Sequence, residues 1–176
     1  KAHFVGNSMG GATSVCFAVN NPDRIGKLIL MGAAGGGVSI FQPNPPEGIK
    51  LLSQVYKSMT RETMRRLIEV FVYDSSFLTE ELLEQRFQTA SNPELTQAYL
   101  ASTQGAPDLT AIAHKITAPT LIVYGRDDRV VPLDNMLRYL WTIPNARLHV
   151  FSQCGHWAQY EKAEEFNRLV EDFLTH

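Results

Sequence analysis

The chain has 176 residues, 44% of them hydrophobic and 19% charged, with a formal net charge of −2. That balance suits a soluble globular enzyme and excludes the basic surface that nucleic-acid binding requires. No apolar run is long enough to span a bilayer. The two cysteines, Cys16 and Cys154, show neither metal-ligand spacing nor a disulfide framework, so a reducing, cytoplasmic setting is expected.

The chain opens on an apolar strand, Ala2 to Val5, followed by Gly6-Asn7-Ser8-Met9-Gly10 and a small-residue helix from Gly11 to Val19. This is the pattern of a nucleophile elbow: a strand turns abruptly into a helix and forces its serine into a strained conformation at the carboxyl end of a sheet. Gly6 and Gly10 are expected to keep any Cβ from blocking the turn. The Met9 N–H, at the helix N-terminus, is placed to hold an oxyanion once a carbonyl is attacked. Enzymes with this elbow carry several strands and a second oxyanion donor ahead of it, whereas only seven residues precede Ser8. The chain is therefore expected to be the C-terminal part of a longer enzyme, lacking roughly a hundred N-terminal residues.

Three further runs read as strands: Lys27 to Met31, Thr120 to Tyr124 and Arg147 to Phe151. Their continuous apolar character predicts burial on both faces, and helical pattern between all but one pair predicts parallel crossovers in a single sheet. Gly32 to Pro119 holds no convincing strand. It reads as a helical cap inserted over the strand ends, with helix starts at Thr79 before Glu80-Glu81 and at Asn92-Pro93-Glu94. Leu67, Phe71, Val72, Phe77 and Phe87 are expected to line a pocket beneath it or to pack its helices together. From Lys162 to Leu174, apolar residues recur at helical spacing opposite a charged face, which predicts an amphipathic helix packed on the sheet. The organisation is thus α/β, with core at residues 1–34, cap and linkers at 35–117, and core again at 118–176.

A nucleophilic serine needs a base and an acid after later strands. His156 follows the last strand through the polar turn Ser152 to Gly155, while His3, His114, His149 and His176 lie in strands, a helical segment or the terminus. The order serine, acid, histidine fits it as the base. The acid should follow Thr120 to Tyr124, in Gly125-Arg126-Asp127-Asp128-Arg129-Val130-Val131-Pro132, where two carboxylates compete. Standing three residues after the glycine and four before the proline selects Asp128. Asp127 is then a turn or cap residue, with Arg126 and Arg129 as partners.

Gly-Asn-Ser-Met-Gly-Gly-Ala-Thr at Gly6 to Thr13, the run Pro22 to Gly32, Gly-Arg-Asp-Asp-Arg at Gly125 to Arg129 and Cys-Gly-His-Trp-Ala-Gln at Cys154 to Gln159 together resemble the meta-cleavage product hydrolases. These are α/β-hydrolase enzymes of bacterial aromatic catabolism, and the likeness, strongest to the biphenyl and carbazole pathway members, covers essentially the whole chain. The resemblance implies hydrolysis of a carbon–carbon bond in a 2-hydroxy-6-oxo-hexa-2,4-dienoate, with a 6-aryl group favoured by the aromatic cap residues. It implies no metal and no organic cofactor. Arg86 matches the family's cap arginine for the substrate carboxylate; alone, an arginine near helix glutamates reads as a surface ion pair. Asn7 and Trp157 match residues of the polar end of the site, where an amide and an indole N–H could fix substrate oxygens. Phe71 matches a cap aromatic nearby, with core packing as its plain reading.

Rival readings are an esterase or haloperoxidase sharing the triad, an inactive or incomplete fragment, and, weakest, a nucleotide-binding module at Gly32 to Gly37. That last run lacks both G-x-G-x-x-G and a P-loop lysine. With Ala2 to Val5 left as an open edge, the 176 residues alone are expected to self-associate and to be nearly inactive. Homo-oligomerisation is expected of the intact enzyme.

Overall fold

The run Thr-Leu-Ile-Val-Tyr-Gly at Thr120–Gly125 is buried at every position, as a strand covered on both faces requires. It is β3 in a computed structural model that describes residues 1–103 and 108–176. The other strands are β1 (Ala2–Asn7), β2 (Ile25–Met31) and β4 (Ala146–Phe151), and the sheet order is β1-β2-β3-β4. All three pairings are parallel, with Leu30 opposite Gly6 and Ile122, and Val123 opposite His149. Helices are α1 (Met9–Asn20), α2 (Glu47–Lys57), α3 (Arg61–Phe71), α4 (Glu80–Ala90), α5 (Pro93–Thr103), α6 (Leu133–Thr142), α7 (Ala158–Glu161) and α8 (Ala163–Thr175). Because α6 lies between β3 and β4, every successive pair of strands is separated by helix, one more than the sequence pattern showed.

Side chains alternate across the inner strands. Leu28, Leu30, Ile122 and Tyr124 join Val15 and Ala18 of α1 and Met136 and Tyr139 of α6 in one apolar cluster. Ile29, Met31, Leu121 and Val123 join Phe151 and the α8 residues Phe166 and Phe173 in the other. The period of two thus sends neighbouring residues to opposite helical layers. Lys27 fastens α8 by donating to the Phe173 and Leu174 carbonyls at 2.8 and 3.2 Å, which would otherwise end the helix without donors.

Two-faced burial holds for β2 and β3 but not for β1 and β4. Those are the outer strands, and most of their positions remain partly or fully in water, Val5 at 50%. The predicted helix starts are both present: Thr79 Oγ1 accepts from Leu82 N–H at 3.1 Å, and Asn92 Oδ1 from Glu94 N–H at 2.9 Å. A third, at Thr60, forms a reciprocal capping box with Thr63. The end of the range expected to be cap, Leu109 to Thr117, contains two short 3₁₀ turns that pack with α1 and α6 of the sheet layer. Leu67, Phe71 and Val72 are buried, and Phe77 and Phe87 partly so, with Leu67 and Phe71 continuous with the main core.

Burial also sets an alkaline limit. It raises the phenol pKa values of Tyr124, where Asp128 adds to the shift, and of Tyr139, where Asp108 does; it pushes the Cys154 thiol up to about 12, helped by Glu161. In the unfolded chain these groups ionise near their ordinary values, about 8.5 for a thiol and 10 for a phenol. Stability from keeping them neutral is fully present below those values and is lost as pH rises toward the folded values. A urea midpoint that is level from pH 7 to about 8.5 and falls by about pH 11 is the expected result; a level midpoint throughout would contradict it.

Candidate active site

The strand-to-helix turn has the strain that the sequence implied. Ser8 sits at φ 54° and ψ −116°, a region L-residues rarely occupy, between the end of β1 and the first residue of α1. Its N–H donates to Met31 O at 2.9 Å, and its carbonyl accepts from Ala34 N–H at 3.0 Å, so β2 and the loop beyond it hold the turn in place. A Cβ on Gly6 would lie 2.5 Å from Gly10 O. Gly10 itself is not needed for clearance, contrary to expectation: a Cβ there meets nothing within 4 Å, whereas one on Gly11 would lie 2.6 Å from Ala33 Cβ. The second constrained position is the one facing the chain beyond β2, one residue further into the helix.

Asp128 and His156 meet as predicted. His156 Nδ1 and Asp128 Oδ2 are 2.8 Å apart and both side chains are buried. The other carboxylate oxygen, Oδ1, accepts the Val130 and Val131 N–H groups at 2.7 and 3.0 Å, so the turn after β3 holds the acid. Asp128 Oδ2 can accept from an Nδ1–H, the tautomer in which Nε2 carries the lone pair. Asp127 is the turn residue: its N–H donates to Cys154 O at 2.9 Å, its carboxylate accepts from Cys154 N–H at 3.3 Å, and it pairs with Arg126. Arg129 does not join it. That guanidinium reaches Glu69 O at 2.5 Å and Glu47 at 3.4 Å on the cap.

Ser8 Oγ makes no hydrogen bond with the imidazole among the described residues. The two are nonetheless brought to one sheet edge. A Cβ on Gly32 would lie 3.0 Å from His156 Nδ1 and 3.1 Å from Asp128 Oδ2, and Gly32 directly follows Met31, the acceptor for Ser8 N–H. Serine–histidine hydrogen bonds are often long without substrate and tighten when it binds. Asn7 Nδ2 donates to Met31 O at 3.1 Å and to His156 O at 3.2 Å, tying the elbow to the histidine loop.

Residues of α3 and α4 stand close to His156 and Trp157. The Phe71 ring lies 5.4 Å from that of His156 and 5.0 Å from that of Trp157, edge-on to the indole. Arg86, on α4, stands 5.3 Å from the Trp157 ring centre. The surface-ion-pair reading fails for it, because Glu80 and Glu84 are taken by Arg61 and Arg65 of α3. Among the described residues no carboxylate lies within ion-pair distance of Arg86. The residue is exposed, and partial burial lowers its pKa, opposed by Tyr56, without threatening a charge that guanidinium always keeps.

A cavity of about 400 Å³ joins Arg86 to Met9, Thr13, Tyr56, Ala98 and Tyr99. Two of its lining residues, Tyr56 of α2 and Tyr99 of α5, stack on each other at 4.2 Å. Neither tyrosine is marked by any spacing in the chain, since their meeting depends on how two cap helices pack. A second cleft of about 410 Å³, at Ile40, Phe41 and Trp141, contains none of the triad residues. No described cluster of histidine, cysteine and carboxylate side chains could hold a metal ion, and no described helix is long and apolar enough to cross a membrane.

Residues 1–163 match the family model for the alpha/beta hydrolase fold. A 2-hydroxy-6-oxo-6-phenylhexa-2,4-dienoate hydrolase from Comamonas testosteroni is 55% identical over 99% of the chain, which spans 63% of that relative's length. A 2-hydroxy-6-oxononadienedioate/2-hydroxy-6-oxononatrienedioate hydrolase from Dechloromonas aromatica is 49% identical over 100% of the chain and is spanned to 63%. Among solved structures, the 2-hydroxy-6-oxo-6-phenylhexa-2,4-dienoate hydrolase of Rhodococcus sp. strain RHA1 superposes with a TM-score of 0.88 at 32% identity, covering 100% of this chain and 64% of that one. The meta-cleavage product hydrolase of Pseudomonas fluorescens IP01 gives 0.84 at 34% identity, covering 99% and 65%. With its strained serine, its buried acid–histidine pair and its parallel sheet, the chain belongs to the alpha/beta hydrolase fold family.

Proposed function

We propose that this chain carries the chemistry of a carbon–carbon bond hydrolase acting on 2-hydroxy-6-oxo-hexa-2,4-dienoates, with an aryl group on C6. The observation that carries the reading is Arg86: a cation without a carboxylate partner among the described residues, set over Trp157 in a cavity that also reaches Met9. Such a group is suited to a substrate carboxylate, which it can bind through two parallel hydrogen bonds. The names of the most similar relatives support the same substrate class.

The chemistry follows from the site. A dienol cannot release C5 from C6 until C5 can carry the departing electron pair, so the 2-hydroxyl proton is first lost and C5 gains one, giving the ketone. His156 Nε2 serves that transfer and then takes the Ser8 proton as Oγ attacks the C6 carbonyl. Met9 N–H stabilises the oxyanion. Cleavage leaves the C6 group as an acyl-enzyme on Ser8 and the pentadienoate as a dienolate, which takes the proton held by His156; His156 then deprotonates the water that attacks the acyl carbon, and the acid leaves as Ser8 regains its proton. Two unpaired cysteines support a reducing, cytoplasmic setting, and self-association of the intact enzyme belongs to the same proposal.

Arg86→Ala in the full-length protein tests the reading. Removing charged hydrogen bonds to a carboxylate should lower kcat/KM for the dienoate roughly a hundredfold, while a neutral aryl ester should change by less than about threefold. Equal losses on both substrates would show that Arg86 does not act on the carboxylate and would favour an esterase.

A further inference from the structure

Glu161, the last residue of α7, holds two distant segments with one carboxylate. Its Oε1 accepts the Gly155 N–H at 2.7 Å, and its Oε2 accepts the Tyr73 N–H at 2.7 Å and the Asp74 N–H at 3.4 Å. Gly155 immediately precedes His156, whereas Tyr73 and Asp74 leave the C-terminal end of cap helix α3. The same seam is closed by His156 N–H, which donates to Phe71 O at 2.7 Å. It has no slack. A Cβ on Gly155 would lie 2.7 Å from Phe71 O and 2.9 Å from Tyr73 N.

We propose that Glu161 is a positioning residue for His156, clamping the histidine loop to the end of α3 so that the imidazole stays on Asp128. Toward β1, the loop is held by a neutral hydrogen bond from Asn7 to His156 O at 3.2 Å. Toward the cap, it is held by the Phe71 carbonyl and by the ionised acceptor Glu161, and bonds to a charged group are the stronger kind. Removing the carboxylate leaves the part-buried Gly155 amide without its acceptor and hands the exposed Tyr73 amide to water, so the link between the histidine loop and the end of α3 is lost. His156 then swings with Gly155. Cap displacement and histidine placement are in this way one event, although Glu161 touches no substrate.

The test needs only the serine–histidine machinery, so it survives failure of the substrate reading. In the full-length protein, a fluorophosphonate labels Ser8 by forming a P–O bond and expelling fluoride, with His156 taking the serine proton. Glu161→Ala should slow labelling about tenfold, and Glu161→Gln, which keeps one acceptor oxygen, about threefold. The low-field NMR signal of the His156 Nδ1 proton shared with Asp128 should weaken in the same order, while amides of β2 and β3 keep their shifts. Wild-type labelling in Glu161→Ala would overturn the proposal, and so would slowed labelling with an undisturbed low-field signal, because the loss would then bypass the histidine. Should Glu161→Ala fail to fold, wild-type labelling and signal in Glu161→Gln would overturn it equally.

Discussion

Asp128→Asn in the full-length protein should lower turnover on the order of 10⁴-fold, the loss typical when a serine triad's orienting carboxylate becomes an amide. The direction follows from the hydrogen bonds. Oδ1 is committed to the Val130 and Val131 N–H groups, so the amide oxygen must stay there and the new NH₂ must face His156 Nδ1. Donor then meets donor unless the ring moves its proton to Nε2, and a protonated Nε2 cannot accept from Ser8. The fold should change little, since the two backbone bonds survive. Steady-state kinetics with a thermal melt check this: a loss under about tenfold with an unchanged melt would mean that Asp128 is not the orienting acid.

Gly6→Ala should have the largest effect on folding. The new methyl would stand 2.5 Å from Gly10 O, 2.7 Å from Gly10 C and 2.8 Å from Gly11 N, all backbone atoms of the first turn of α1. None of them can rotate away, so the helix must lift from β1 and take Ser8 with it. A cost above about 3 kcal/mol is expected, a large share of the 5–15 kcal/mol that holds an ordinary domain together. Gly10→Ala is the matched control, because its methyl meets nothing within 4 Å and replaces a helical glycine, which should stabilise by about 0.5–1 kcal/mol. Denaturation midpoints of the two variants should move in opposite directions; equal destabilisation would refute this account of the elbow.

What the sequence disclosed and what it hid divide along a physical line. The meeting of Asp128 with His156 and the strained turn at Ser8 were legible because each residue follows a strand, and strand ends in a parallel sheet share one edge. The starts of α4 and α5 were legible because Thr79 and Asn92 act on amides two or three residues away. Restraints whose partner is a distant backbone group left no such trace. Arg138 donating to the Gly36 and Val38 carbonyls, and Asn7 donating to His156 O, rest on atoms every residue possesses. β1 was expected to be an open edge, but the half-open faces of β4 escaped for a related reason: an apolar run reports what a strand tolerates, not how many neighbours it has.

Arg129 couples the acid loop to α2 and α3. It follows the acid directly in the chain, yet its guanidinium holds Glu69 O near the end of α3 at 2.5 Å, and its carbonyl accepts from Gly48 N–H in α2 at 3.0 Å. Both tethers use backbone atoms of α2 and α3, so substitutions that shift either helix would also move the acid loop. Diversity placed on the cavity-lining positions of α4 and α5, such as Thr89, Leu95 and Ala98, would reshape the chamber while leaving those two tethers alone.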